Sequence, residues 1–419
     1  MASTSTPARL SMVRAILILL GVAFAVAGAF GVNQRANAIG KVRVASRQLL
    51  ALQDIQVRVV HADAIASSSY LRSGQEDPTQ RTAYLAEIAA AGDGLVAVSG
   101  AAGSNDLAEL SDASRLLGSY VGLVEQARAN NRQGFPVGAT YQRQANAIVS
   151  NGDPDAPDIV SSLTAAEASQ RQQINDRLAS AHRAGVWLHI AGWSLFVALL
   201  LCSWWLAGTF RRVVNVPIAV AALVLLLVLI IGGSMQARAA TDADSAIGNQ
   251  LAHADDAAQA RAAAFEARSQ EALTLINRGN GAANETNWLR GNDVVQRALD
   301  RGVGADNNSS ASAAAAAYDG YRVAHTEIRR LDNAGNWDQA VAVSLGTATT
   351  TAGTNAVDQF DTFDQQVDRI ATDESALAAA HLSDAVSPLK LLRNVVFLAG
   401  LVVASLAALG CGQRLREYR

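Results

Sequence analysis

Hydrophobic positions follow two rhythms along this chain. In four places they run together with no charged residue between them: 20 residues between Arg14 and Arg35, 27 between Arg183 and Arg211, 25 between Arg212 and Arg238, and 20 between Arg393 and Arg414. Each run reaches the ~20 apolar residues that cross a bilayer as a helix. Elsewhere apolar and small residues return at alternating steps of four and three, the stripe of a helix packed in a bundle. Ala38, Val42, Ala45, Leu49 and Leu52 begin such a stripe, and Gln56, Val59, Asp63, Ala66 and Tyr70 continue it. No period-two alternation competes. The expected fold is therefore an all-α membrane protein, with four transmembrane helices and two tandem extracytoplasmic helical bundles.

Turn residues divide the stripes into elements. A long helix over 35–72 stops at Ser73-Gly-Gln-Glu-Asp-Pro78, a second runs from Thr79 to about Ser99, and a third from Asp106 to Asn131 ends before Gly134-Phe-Pro-Val-Gly138. A short helix follows. From Asp158 to Ala184 there is neither Gly nor Pro, so that helix is expected to continue straight into the second span. The later half repeats the plan, with a long helix from Arg238 to Arg278 and a last one from Asn355 to Val386 carrying Phe360, Phe363, Val367, Ile370 and Leu377 in heptad spacing. Pro388 lacks an amide hydrogen and is expected to break that helix before the fourth span. Tyr120, Arg128 and Gly134 recur as Tyr321, Arg329 and Gly335 at an offset of 201, and Leu71 and Gly74 match Ile276 and Gly279 at 205, which reads as a duplication. The layout becomes a cytoplasmic segment 1–14, span 15–34, first bundle 35–184, span 185–210, turn 211–213, span 214–235, second bundle 236–389, span 390–411 and tail 412–419.

Charge orients this layout. Residues 1–14, the turn and the tail together hold seven arginines and one acid, Glu417, so the positive-inside rule places both termini in the cytoplasm and the bundles outside the plasma membrane. Trp187 and the Trp204-Trp205 pair stand ~26 Å apart at 1.5 Å per helical residue, as two interfacial belts would. Arg9 and Arg14 ahead of the first span also suit a signal peptide, but a run of 20 residues is longer than the usual signal core and favours a retained span. Cys202 and Cys411 both fall near the inner helix ends, so the exported bundles are expected to be held by packing without disulfides.

Enzyme chemistry finds no purchase. The chain has no phosphate-binding Gly-Lys-Ser, no dinucleotide fingerprint, no HExxH, no CxxC and no GxSxG, and the six histidines are scattered. Neither catalysis nor a metal or cofactor is expected, and a nucleic-acid partner is not expected either. The informative residues are polar ones on inward stripes. Gln56 and Asp63 in the first half map at the 205 offset onto Arg261 and Arg268. A charge facing a bundle core is costly unless it is paired or liganded. A charged pocket, an Asp/Arg contact between bundles, or a thin Ala-rich core that admits water would each account for them. Asp63, Tyr70, Arg72, Arg81 and Tyr84 could cluster near the first hairpin, and Arg268, Ser269, Glu271, Arg278 and Trp288 near the second, where arginine with aromatic residues could grip a carboxylate-bearing ligand or a partner protein.

At these residues a resemblance appears. Ala62-Asp-Ala-Ile-Ala-Ser-Ser-Ser-Tyr-Leu-Arg-Ser-Gly74 with Gln80-Arg-Thr-Ala-Tyr84, and Glu266-Ala-Arg-Ser-Gln-Glu-Ala-Leu-Thr-Leu-Ile-Asn-Arg-Gly279, look like the corresponding helix ends of the actinobacterial GlnX membrane proteins. The resemblance implies a four-span sensor that works with the amino-acid-binding lipoprotein GlnH outside and the Ser/Thr kinase PknG inside, relaying aspartate or glutamate availability. With a tail of eight residues, output is expected to pass to a separate protein, with Arg211 and Arg212 in the cytoplasmic readout surface. A transport accessory subunit moved by a cytoplasmic ATPase and a structural envelope protein are the rival classes, and a homodimer stays open.

Overall fold

The computed structural model describes residues 6–72, 77–101, 103, 106–152, 156–210, 215–303 and 309–416. Among these residues the chain is helical, with no strand. Helices α1 (Thr6–Tyr70), α2 (Pro78–Ala101), α3 (Leu107–Arg132), α4 (Val137–Val149) and α5 (Ile159–Phe210) make the first half. The second half has α6 (Val216–Ser245), a π turn (Ala246–Leu251), α7 (Ala252–Ile276), α8 (Ala282–Ala298), a second π turn (Leu299–Val303), α9 (Ser309–Asn333), α10 (Trp337–Ser344) and α11 (Ala356–Arg416). Four of the helical segments are long and apolar enough to cross a membrane.

Pro388 does not break its helix. α11 runs through it, and the hydroxyl of Ser387 donates to the carbonyl of Ser383 at 3.1 Å, one residue before the carbonyl that the missing amide would have served. The missing amide costs the helix one backbone bond, and the bonds on either side carry it through. The irregularity lies elsewhere: α1 is α-helical from span to tip, whereas its counterpart in the second half, one helix over Val216–Ile276, passes through the π turn between α6 and α7.

The chain separates into two compact units, one of Met1–Val44, Gln173–Ile247 and Ala378–Arg419, the other of Ala45–Gln172 and Gly248–Leu377. In the first, the span unit, small residues let helices approach. A Cβ on Gly21 would meet Ala404 at 2.7 Å and one on Gly400 would meet Ala25 at 2.6 Å, an antiparallel small-residue contact between α1 and α11. Arg35 donates to Gln236 at 3.2 Å between α1 and α6.

In the second, the bundle unit, the two halves share an interior. One core takes Leu52, Val59, Tyr84 and Tyr120 from the first half and Ala257, Phe265, Tyr321 and Phe360 from the second. Its seam is α1 against α7. Ala254, Ala257, Ala260, Ala264 and Ala267 are fully buried along α7, and such short side chains let a neighbouring helix approach, as α8 does where Gly291 stands against Ala267. His61 stacks on Phe265 across the seam with ring centroids 4.1 Å apart. Alanine cannot bury enough surface in a thin bundle, so pooling both halves supplies the burial that either alone lacks.

The duplication is visible in the backbone. α3 and α9 end alike: Gly134 and Gly335 have φ of +72° and +79°, and the amides of Phe135 and Asn336 each reach back five residues, to the carbonyls of Asn130 and Leu331, both at 2.9 Å. This is the Schellman closure, which needs a left-handed residue that glycine adopts without a Cβ clash.

Candidate functional site

Three polar assemblies are built into the bundle unit. The first lies on the seam. Asp63, on the inward stripe of α1, is 1% exposed, and its Oδ2 accepts from Asn146 Nδ2 of α4 at 2.7 Å and from Ser269 Oγ of α7 at 2.5 Å. Ser67 and Ser269 face each other at 3.1 Å, Gln142 donates to Ser67 at 3.0 Å, and Gln270 donates to Asn146 at 3.1 Å. Burial raises the Asp63 carboxyl above its usual range, more than the bonds from Ser269 and Asn146 lower it. A second polar contact across the seam joins Arg171 of α5 to Asp255 of α7 at 2.6 Å.

The second assembly lies within the second half. Glu271 of α7, 1% exposed, accepts from Ser344 at 2.9 Å and Tyr321 at 3.2 Å and meets His325 Nδ1 at 2.8 Å. The other ring nitrogen of His325 is 3.3 Å from Glu285, and the imidazole lies flat on Trp288, 3.6 Å between centroids and 5° from parallel. Arg329 stands 3.0 Å from the far oxygen of Glu285. Burial alone would pull the imidazole down, but the bonds and charges of Glu271 and Glu285 outweigh it and hold His325 above its ordinary value. Burial alone would likewise raise Glu271; His325, Arg268 and Ser344 together hold it below the usual carboxylate range. Both ring nitrogens of His325 thus face carboxylate oxygens, a setting that favours the doubly protonated ring. The assembly opens onto a cleft lined by Leu289, Asn292, Arg322 and Thr326.

The third assembly is at the tip, where α1 and α7 end. Tyr70, Leu71, Phe135 and Pro136 of the first half and Ile276, Arg278 and Trp337 of the second line a cavity of about 420 Å³. Asn131 caps α1 by donating to the Tyr70 carbonyl at 3.1 Å, and Trp337 caps α7 by donating to the Leu275 carbonyl at 2.8 Å. The Arg278 guanidinium lies over the Trp337 ring, 4.0 Å from its centroid. Its φ of +42° is left-handed, a conformation that costs a Cβ-bearing residue ~1–2 kcal/mol.

The residues singled out from the sequence are thus divided among these places. Asp63 lies on the seam. Tyr70, Arg72 and Arg278 come to the tip, where Arg72 lines a smaller hollow beside Tyr70 and Asn131. Arg81 bonds to Glu125 at 2.6 Å and, with Arg128, flanks the buried Tyr84 ring, so these two form a separate group. Arg261 is bound by Asp364 at 2.6 Å and Asp368 at 2.5 Å of α11, and Arg268 lies over Phe360 at 4.9 Å, so neither meets Asp63 and the two do not share a pocket. Glu271 holds the centre of the second assembly. Arg211 and Arg212 lie outside the described residues. Among the described residues no group of three or more His, Cys, Asp or Glu is arranged to hold a metal ion.

Gln142, Asn146 and Ser344 escaped the sequence reading, as did any role for His325, whereas Ser269 and Trp288 were among the residues it grouped with Arg268. A signal existed for one of them: Tyr321, His325 and Arg329 recur every fourth residue and so share a face of α9 with the duplicated Tyr and Arg. For Gln142, Asn146 and Ser344 there was none, because nothing local to each residue shows which distant partner it meets.

Residues 38–183, from within α1 to within α5, match the family model of the actinobacterial sensor domain. Comparison with curated proteins and with solved structures gives no match. The match supports a sensor of an actinobacterial family, and with the four apolar helices it is consistent with a multi-pass membrane protein and suggests a signalling role.

Proposed function

We propose that the chain is a non-enzymatic transmembrane signal transducer, whose bundle unit lies outside the plasma membrane and passes amino-acid availability, brought by a binding lipoprotein, to a cytoplasmic Ser/Thr kinase. The observation that carries this reading is helix continuity. α1 and α5, in which the sensor match begins and ends, each run without a break between a polar bundle helix and an apolar membrane-length segment. A continuous helix transmits a small piston or rotation, because its backbone bonds leave no hinge to absorb it. The GlnX resemblance supplies the identity of the partners, and the arginine-rich inner segments support the orientation.

The test is partner-kinase phosphorylation in cells at matched protein levels. A Gly-Gly insertion after Ala181 is expected to abolish the response to external amino acids while membrane insertion is kept, and the same insertion after Ser387 is expected to do comparable harm, since α11 is also continuous. An unchanged response in both insertions overturns the reading. Co-purification of an ATPase in place of a kinase would favour a transport accessory instead.

A further inference from the structure

The tip cavity has the make-up of a ligand site. Its walls are apolar and aromatic, and its size falls within the ~300–1,000 Å³ of small-molecule pockets. Glycine seats one of its walls: a Cβ on Gly138 would lie 2.8 Å from the Tyr70 hydroxyl. Around this apolar space the charge is of one sign. Among the described residues Arg72, Arg132 and Arg278 have no ion-pair partner, and the buried Nε of Arg72 has no hydrogen-bond acceptor. Among the described residues no Asp or Glu lines either the cavity or the hollow beside it.

Two features show that the arrangement is held in place. Arg278 keeps a left-handed backbone where glycine would be unstrained, and the indole beneath its guanidinium is fixed by the bond to the Leu275 carbonyl. Strain kept at one residue is a mark of function when the surroundings hold it there. A guanidinium stacked on an indole keeps its edge donors free for a carboxylate, which it meets with paired N–H groups.

We infer that this cavity binds a small amphipathic monocarboxylate, an aryl or branched-alkyl acid without a cationic group, with its body between Tyr70, Phe135 and Pro136 on one side and Ile276 and Trp337 on the other, and its carboxylate on Arg278. An ammonium group would find no acid in the lining, so a zwitterionic amino acid fits less well than a simple acid. Because the two halves each give one wall, occupancy joins the tips of α1 and α7. The link from occupancy to signalling rests on the sensor reading; the binding itself does not.

The experiment is ¹⁹F NMR titration of the full chain in nanodiscs with 4-fluorophenylacetate, 4-fluorophenylacetamide and 4-fluorophenylalanine. The acid is expected to bind at least tenfold more tightly than the amide or the amino acid. Arg278→Gln should remove that preference, Arg278→Lys should keep part of it, and Ala139→Phe, which fills the cavity, should abolish binding of every probe. Circular dichroism melts establish that each variant is folded. Equal binding of acid and amide, acid binding unchanged in Arg278→Gln and Ala139→Phe, or no binding of any probe overturns the site, the last result leaving the tip to a protein partner. Kinase output is read separately with added 4-fluorophenylacetate: acid that binds and leaves output unchanged removes the signalling link and keeps the site.

Discussion

The two halves of the bundle unit are built on one plan and filled with different chemistry. In the first half the aromatic pair Tyr84 and Tyr120 is flanked by Arg128, and one turn after Tyr120 stands Val124, fully buried. In the second half Trp288 and Tyr321 form the corresponding pair, Arg329 follows, and the place of Val124 is taken by His325, held by Glu271 and Glu285. The backbone closure is shared, while the position that is apolar in the first half, Val124, is ionic in the second, His325. Hydrogen bonds and helix closure fix the duplicated frame, whereas side chains facing the core are free to change together as long as each polar group gains a partner.

The sharpest break in this comparison is Glu271→Ala. It leaves a buried imidazolium, Ser344 and Tyr321 without their acceptor and should lower unfolding free energy by about 3–5 kcal/mol, read by chemical denaturation of the purified protein. Val124→Ala in the first half deletes two methyl groups and should cost less, about 1–3 kcal/mol. If the two cost the same, the ionic network is no more than packing.

A smaller effect is expected at Arg261. On an inward stripe it read as a charge that is costly unless paired or liganded; bound to Asp364 and Asp368 it is paired, and its replacement by leucine should cost about 1.5–3 kcal/mol. Adding Asp364→Leu should return most of the loss, because replacing both partners leaves less unpaired charge. A melting temperature that rises in the single variant would show that the pair contributes nothing.

The pH dependence should also separate the halves. His325 sits above its ordinary value of 6.5, so its charged form adds stability that is complete below that value and is lost as pH climbs through the raised folded pKa. Glu271 sits below its ordinary 4.5, so its share is complete above that value and lost as pH falls through the lowered one. Stability from the network is therefore greatest between about 4.5 and 6.5 and declines on the alkaline side at up to ~1.4 kcal/mol per pH unit, a slope that His325→Asn should flatten in melts at pH 6 to 9. A slope unchanged in that variant would assign the titration to other groups.

The smallest effect tests the shared frame. Gly134→Ala and Gly335→Ala each force a left-handed Cβ and should each cost about 1 kcal/mol, with the two losses alike because the two closures are alike. Nothing lies within 4 Å of a Cβ at either position, so a clear inequality would have to come from the closure itself.

Much of this was legible in the residues. Charge-free runs, heptad stripes and turn glycines determined the all-α class, the four membrane-length segments and the duplicated helix order, because each rests on interactions within one helix or between residues near in sequence. Only the tertiary structure decided that the halves share one core, that Asp63 is held by Asn146 and Ser269 and not by arginine, that His325 lies between two glutamates, and that α11 carries Pro388 without breaking. The reason is the same in each case. A periodic stripe states that a face is buried and leaves unstated what it is buried against, and the cost of a buried charge or a missing backbone bond depends on a partner that the chain supplies from up to 206 residues away.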